Sequence, residues 1–538
     1  MKKAHIVRSA QSGSGMPVPR GTGGLPRLLV ESPAVMPVLL AFVISIGFFY
    51  KLGGFPLFDV DEGAFSEATR EMLERGDYLT TYLNGNLRFD KPILIYWLQA
   101  ISVALLGPDE FAFRLPSALA SLGWVAAILV FASQQADRAT GFAAALIAAT
   151  TLGLCVIGRA ATADALLNLF LVLAMFDIYR YMEKPLGKYR YRAYLWMALG
   201  MLTKGPVALL IPFAASAIAF ALQGKFRLWR KAVADPIGWA ILLVVAGPWY
   251  LLEYREQGNA FIAGFFMRHN VERFMGPLQG HSGNLLYYLP AALVLLLPYT
   301  GLFIRVLPTV RKMRDKPLDT FLWCWFLFVL VFFTFAGTKL PHYLLYGISP
   351  LFVLMAIHRQ ALRSPWLAFV PPLLMPALAL ALPAILQFGG PHLGNAYFRE
   401  MLTRREMFGA SYYLASSILM AAMLAIAFLS RISVWQRLVA MGVLCSAGFG
   451  GLVLPAIGEL QQGPVKEAAA HARKIGVPVL AWRINVPSFS VYRNEVTKRV
   501  DSPGPGDVVL TRSDELRNLG RMEVLYRKGG IALVRILS

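Results

Sequence analysis

Charge is scarce in this chain of 538 residues: only 15% are Asp, Glu, Lys or Arg, against about 25% in an ordinary soluble protein. A water-soluble chain of this length folds as several domains, each needing a polar shell, and that shell is missing. Cysteine is nearly absent too. Cys155, Cys324 and Cys445 all lie inside apolar runs, so neither a disulfide framework nor a zinc quartet is available. There is no Walker A loop and no Rossmann glycine fingerprint, which leaves a nucleotide-bound substrate unsupported. Low-complexity tracts and fixed-period repeats are also missing. What the chain does contain is apolar: 57% hydrophobic residues, with 35 Phe, 21 Tyr and 11 Trp. Disorder is excluded by that content, and the repeated long apolar runs define a membrane protein.

The net charge of +21 invites comparison with nucleic-acid binders, which gather basic residues on one soluble face. Here the basic residues are spread along the chain and densest in the N-terminal tail and the short loops between apolar segments, the pattern of membrane orientation. A first span is read from 34 to 50 after a basic 33-residue tail, with no small-residue cleavage site behind it, so it is expected to remain uncleaved. Twelve more are read near 115–133, 141–157, 165–179, 193–204, 205–222, 237–253, 286–304, 320–336, 341–357, 365–387, 413–429 and 438–456. Seven stretches on one side hold 24 Lys/Arg in 96 residues, whereas the loops 51–114, 254–285 and 388–412 on the other hold 12 in 121. The basic side faces the cytoplasm. The expected fold is a polytopic α-helical membrane protein of about 13 helices: a cytoplasmic tail (1–33), a membrane domain (34–457) and an outer α/β domain (458–538). The last segment alternates short β-rich runs with polar helical stretches, and 81 residues are enough for a small domain.

The first outer loop, 51–114, holds ten of the 31 acidic residues. From Glu62 to Arg75 the pattern places Phe65, Ala68, Met72 and Leu73 on one helical stripe ended by Gly76. This reads as an amphipathic helix lying on the membrane. Asp61 and Glu62 head it, where the helix dipole stabilises a carboxylate; Asp61 can equally serve as a simple cap. Asp90-Lys91-Pro92 heads an aromatic helix, with Lys91 at the interface beside Tyr96 and Trp97, a place also suited to a snorkelling lysine. Arg159, Asp164, Lys204 and Lys339 interrupt the outer ends of spans. Each alone can be a solvated hairpin tip, but together they occupy one membrane side, and ionisable groups there are functional candidates. Cations beside an apolar surface suit the phosphate of a lipid, and a nearby carboxylate can take a proton from an acceptor hydroxyl. An energised donor on the outer face, where nucleotides are absent, would be lipid-linked. Asp90, His269 and His281 are the candidates for a divalent cation, although their spacing matches no standard ligand pattern. No other cofactor is suggested.

The run Asp61-Glu62, Glu71-Met72-Leu73, Gly76-Asp77, Leu83-Asn84-Gly85, Lys91-Pro92 and Tyr96-Trp97 resembles the first outer loop of the GT-C membrane glycosyltransferases. Among these it looks nearest to the bacterial branch of lipid A aminoarabinose transferases and protein O-mannosyltransferase-like enzymes. Arg114-Leu-Pro-Ser117, Asp164, Thr203-Lys-Gly-Pro206, Arg268 to Phe274, His281, Lys339-Leu-Pro-His-Tyr343 and Pro487 to Tyr492 extend the likeness over roughly 55–530. The resemblance implies an inverting transfer from a polyprenyl-phosphate sugar to an envelope acceptor, lipid A or lipopolysaccharide or protein, on the periplasmic face of the inner membrane. Asp61 would be the acid/base residue, with Glu62 beside it and Asp164 shaping the same cavity. Lys91 and Arg273 would hold the donor phosphate, joined by Lys204, Lys339 and Tyr343. Ala64 and Phe65 stand where the branch commonly has Arg and Tyr, Asp90 where it has Glu, and Tyr346 where Pro is favoured. The Ala64–Phe65 departure bears on sugar and acceptor more than on reaction class. A lipid-sugar flippase is the alternative, and it would carry polar groups through the bilayer midplane or show inverted repeats. An interaction scaffold built on the outer α/β domain is a third reading.

Overall fold

Apolar segments in a bilayer must satisfy their own backbone hydrogen bonds, and helices do so locally. The computed structural model describes residues 35–272, 276 and 283–537, and each of the thirteen apolar stretches is helical over most of its length. Among the described residues seven helices are long and apolar enough to cross a membrane, or eight if the bent pair Arg138–Thr150 and Leu152–Gly158 is one span. Others are short or broken. Residues 286–304 divide at Pro298 into Tyr288–Leu295 and Thr300–Val306, and 341–357 opens with the 3₁₀ turn Pro341–Gly347. Proline removes a backbone donor and ends or bends the helix there.

Burial separates central from peripheral helices. Asp164–Glu183 is 78% buried across its apolar window and Ala410–Phe428 only 17%. Val244, Phe388, Leu414 and Phe428 point outward, which water would penalise and lipid tails accommodate. The protein is a multi-pass membrane protein.

The Asp61–Arg75 helix forms as the apolar stripe predicts and ends at Gly76 in the left-handed conformation (φ 67°). It does not lie open on a membrane surface. Its polar face is buried as well, because Glu67 bonds Arg70 and Glu71 accepts from Arg75 and the Gly85 N–H. Asn84 and Gly85 both have positive φ (52° and 82°), as a tight hairpin turn demands. They join β1 (Tyr82–Leu83) to β2 (Asn86–Leu87), and this returns Arg88, Asp90 and Lys91 towards the 61–75 helix.

The Leu454–Ile475 helix passes from the last apolar segment into the α/β portion without a break, so the boundary expected at 457/458 falls inside it. Its Val465, Ala468, Ala469 and Ala472 pack on the sheet β3 (Val479–Ala481), β4 (Val508–Arg512), β5 (Met522–Lys528) and β6 (Ile531–Ile536). The strand order is β3-β4-β6-β5, with β3–β4 parallel and the other pairs antiparallel. The short Ser488–Arg493 helix docks this portion onto the first outer loop. Ser488 donates its N–H (2.9 Å) and its hydroxyl (2.5 Å) to Asp59, and Ser490 bonds Asn84. Tyr492 Oη accepts from Leu57 N at 2.6 Å and reaches Glu110 at 3.1 Å. Gly63 permits the approach: a Cβ there would stand 2.6 Å from the Ser488 nitrogen.

Candidate active site

Between the outer loop, the span ends and the α/β portion lies a cavity of about 670 Å³, lined by Asp61, Arg88, Asp90, Lys91, Asp164, Lys204, Arg268, His269, His342, Tyr343 and Arg499 with Phe65 and other apolar groups. Asp61 is the first residue of its helix, whose N-terminus has no side-chain capping bond. Its carboxylate is exposed to the cavity and makes no hydrogen bond or ion pair among the described residues. The other two cavity carboxylates are engaged. Asp164 accepts from Lys204 Nζ at 2.5 Å and from Tyr346 Oη at 2.8 Å, with His342 Nε2 at 3.8 Å. Asp90 pairs with Lys91 at 2.8 Å, Arg88 at 3.1 Å and His269 at 2.9 Å. Burial alone would raise the Asp90 carboxyl, but the Lys91 charge, the His269 bond and Arg88 hold it well below the usual carboxylate range. Asp90 is therefore an ionised anchor for cations and a poor proton acceptor.

Lys91, Lys204 and Tyr343, which the resemblance assigned to the donor phosphate, line this cavity. Tyr346, at the position where a Pro was noted, uses its hydroxyl to fix Asp164. Glu62 and Lys339 stand elsewhere. Glu62 is 4% exposed and forms a two-pronged ion pair with the fully buried Arg114 (2.9 and 2.8 Å). It also accepts from the backbone N–H groups of Phe58 and Ala161. Arg114 spends its remaining donors on the carbonyls of Leu52, Phe55 and Pro56. The pair is a clamp holding the start of the outer loop against the Glu110–Gln135 helix. Lys339 donates to the carbonyls of Thr334 and Ala336 at the end of the Pro317–Phe335 helix, where a cation complements the helix dipole. Arg159 does the same for the carbonyls of Ile46, Gly47 and Tyr50. Arg273 and His281 lie outside the described residues.

For a divalent cation the described donor set is a poor fit. No three His, Cys, Asp or Glu side chains converge among the described residues, and both Asp90 oxygens already face cations. Arg88, Arg268, His342, Asn485 and Arg499 are cavity residues that the candidate set omitted. Arg268 and His342 sit within motifs quoted for the resemblance, so position in a motif was the available signal. A second cavity of about 700 Å³, in the α/β portion, shares Asn485 and Arg499 with the first and adds Arg483 and Arg512.

Fold and site together define a multi-pass membrane protein with a cation-rich reaction-sized cavity where its outer loops meet a small α/β portion. Residues 90–251 match the family described as dolichyl-phosphate-mannose-protein mannosyltransferase. An undecaprenyl phosphate-alpha-4-amino-4-deoxy-L-arabinose arabinosyl transferase of Yersinia enterocolitica is 31% identical over 331 residues, 60% of this chain and 58% of that protein. The chain thus matches less than two thirds of that relative's length. An uncharacterised protein of Aquifex aeolicus is 30% identical over 324 residues, 60% of this chain and 72% of that one. The crystal structure of ArnT from Cupriavidus metallidurans bound to undecaprenyl phosphate superposes with a TM-score of 0.78 at 19% identity, covering 94% of this chain and 99% of that one. The chain belongs to one family with the Aquifex aeolicus protein and has the fold of the ArnT structure.

Proposed function

We propose that this chain transfers a sugar from a polyprenyl-phosphate donor, the kind named for the arabinosyl transferase relatives, to an envelope acceptor, lipid A being the class that the sequence resemblance implies. The observation that carries the reading is the contrast among cavity carboxylates: Asp164 and Asp90 are held by cations, whereas Asp61 faces the cavity without a described partner. The donor phosphate sits among Lys91, Lys204 and Arg268, whose N–H donors suit a phosphate oxyanion. An acceptor hydroxyl approaches Asp61, which accepts its proton. The hydroxyl oxygen bonds to the anomeric carbon as the bond from that carbon to the phosphate oxygen breaks, and the polyprenyl phosphate leaves with the electron pair. Attack opposite the leaving phosphate inverts the anomeric centre. The second cavity, which shares Asn485 and Arg499 with the first, offers a basic place for a phosphorylated acceptor.

Two measurements test this. In a reconstituted membrane, Lys91→Ala is expected to weaken undecaprenyl phosphate binding by about 1.5–3 kcal/mol, the worth of a hydrogen bond to a charged group, with only partial rescue by Lys91→Arg. Unchanged binding would move the phosphate elsewhere. The second concerns orientation, which we infer from the loop charges: N-terminus cytoplasmic and α/β portion periplasmic, in the inner membrane. Reporter fusions after residues 140, 230 and 315 should read as cytoplasmic and one after 538 as periplasmic. A cytoplasmic reading at 538 would put the cavity on the wrong side for a lipid-linked donor.

A further inference from the structure

Arg88 is a buried cation with unused donors in the wall of the reaction cavity. Its side chain is 9% exposed and pairs through Nη2 with Asp90 at 3.1 Å. Its Nε and Nη1 are buried and have no hydrogen-bond partner among the described residues. Buried donors are nearly always satisfied, and an unmade bond to a charged group is costly. Arg88 lines the cavity, so a bound ligand can supply the acceptors. The guanidinium lies 5.2 Å over the Phe65 ring, on the same helical turn as Asp61. On that turn Ala64 and Phe65 also line the cavity, but their side chains bring no polar atom to it.

We infer that Arg88 reads the sugar of the donor, and that this sugar carries an anionic oxygen group, the carboxylate of a hexuronic acid, where the arabinosyl transferase relatives are named for an amino sugar. The inference rests on the transferase reading above and goes further by giving the charge of the sugar. Guanidinium N–H groups donate only, so an ammonium would leave them unpaired and add a like charge. Asp90, the carboxylate in contact with Arg88, already accepts from Lys91 and His269, so it is not free to receive an ammonium, and Asp61 is taken up by the acceptor proton in the transfer above. Guanidinium and carboxylate match in geometry and charge. The same oxyanion chemistry could come from the donor phosphate; the stacking of Arg88 on Phe65, one helical turn after Asp61, favours the sugar.

The test measures binding of four probes to the full chain in lipid nanodiscs: bare undecaprenyl phosphate, and undecaprenyl phosphate carrying a hexuronic acid, a neutral hexose or 4-amino-4-deoxy-L-arabinose. The uronosyl donor should bind tightest. Arg88→Gln should weaken it by roughly 10- to 100-fold, the worth of a charged hydrogen bond, while bare undecaprenyl phosphate changes less than about twofold. Arg88→Lys should recover part of the loss. If the amino sugar or neutral donor binds as well as the uronosyl donor, the inference is overturned. An equal loss for bare undecaprenyl phosphate would also overturn it and assign Arg88 to the phosphate. Should Arg88→Gln fail to fold, the ranking of the three donors by the unaltered chain decides alone. Transfer to lipid A is scored separately: the expected binding ranking with no transfer from any donor would remove the transferase reading and leave the sugar assignment standing.

Discussion

Replacing Asp61 by Asn is expected to leave the chain folded and able to bind undecaprenyl phosphate, while transfer to a hydroxyl acceptor falls roughly a hundred- to ten-thousand-fold. Asn is nearly the same size and can still accept a hydrogen bond, but it cannot take a proton. The helix N-terminus has no capping bond from this side chain to lose, so a stability effect is not expected. An acceptor that is already an ionised phosphate needs no proton removed, and the loss with it should be smaller. Glu74→Gln, an exposed change on the same helix, is the control. Full turnover by Asp61→Asn on a hydroxyl acceptor would reject its role as the base.

Glu62, one residue on, should behave in the opposite way. Glu62→Ala leaves the Arg114 guanidinium buried with no counter-charge, and breaking a buried pair in this manner costs about 3–5 kcal/mol. It also strips acceptors from the N–H groups of Phe58 and Ala161. The variant should accumulate poorly and unfold at lower temperature in detergent, with binding and transfer lost together. Glu62→Gln, which keeps one acceptor oxygen, should be milder. A Glu62→Gln protein of ordinary thermal stability that binds undecaprenyl phosphate but transfers nothing would contradict the clamp and make Glu62 part of the chemistry.

The two neighbours show what could be read from the sequence and what could not. The 61–75 helix, its apolar stripe and its stop at Gly76 were legible because spacing and glycine act locally. Lys91, Asp164 and Lys204, read as lying on one membrane side, line one cavity, whereas Arg159 and Lys339 from the same reading do not. The role of Glu62 was not legible, since its partners Arg114 and Ala161 lie 52 and 99 residues away. Lys339 looked like Lys204 in sequence, yet it folds back on its own helix end while Lys204 crosses to Asp164. Arg88 had no motif of its own. The hairpin turn at Asn84-Gly85 and the packing of Phe65 turn it inward. The contribution of Asn485 and Arg499 depends on how the Ser488–Arg493 helix docks, a contact made across more than four hundred residues of chain. The break at Pro298 within residues 286–304 was not legible either, because hydropathy registers an apolar stretch but not an interruption inside it.

Mass spectrometry of envelope glycolipids tests the central claim most directly. A strain lacking the gene should be compared with strains restored by the unaltered gene and by its Asp61→Asn form. The account predicts that one glycolipid loses the mass of a single sugar residue on deletion, regains it with the unaltered gene, and does not regain it with Asp61→Asn. Identical glycolipid profiles in all three strains, or restoration by Asp61→Asn equal to that by the unaltered gene, would contradict it.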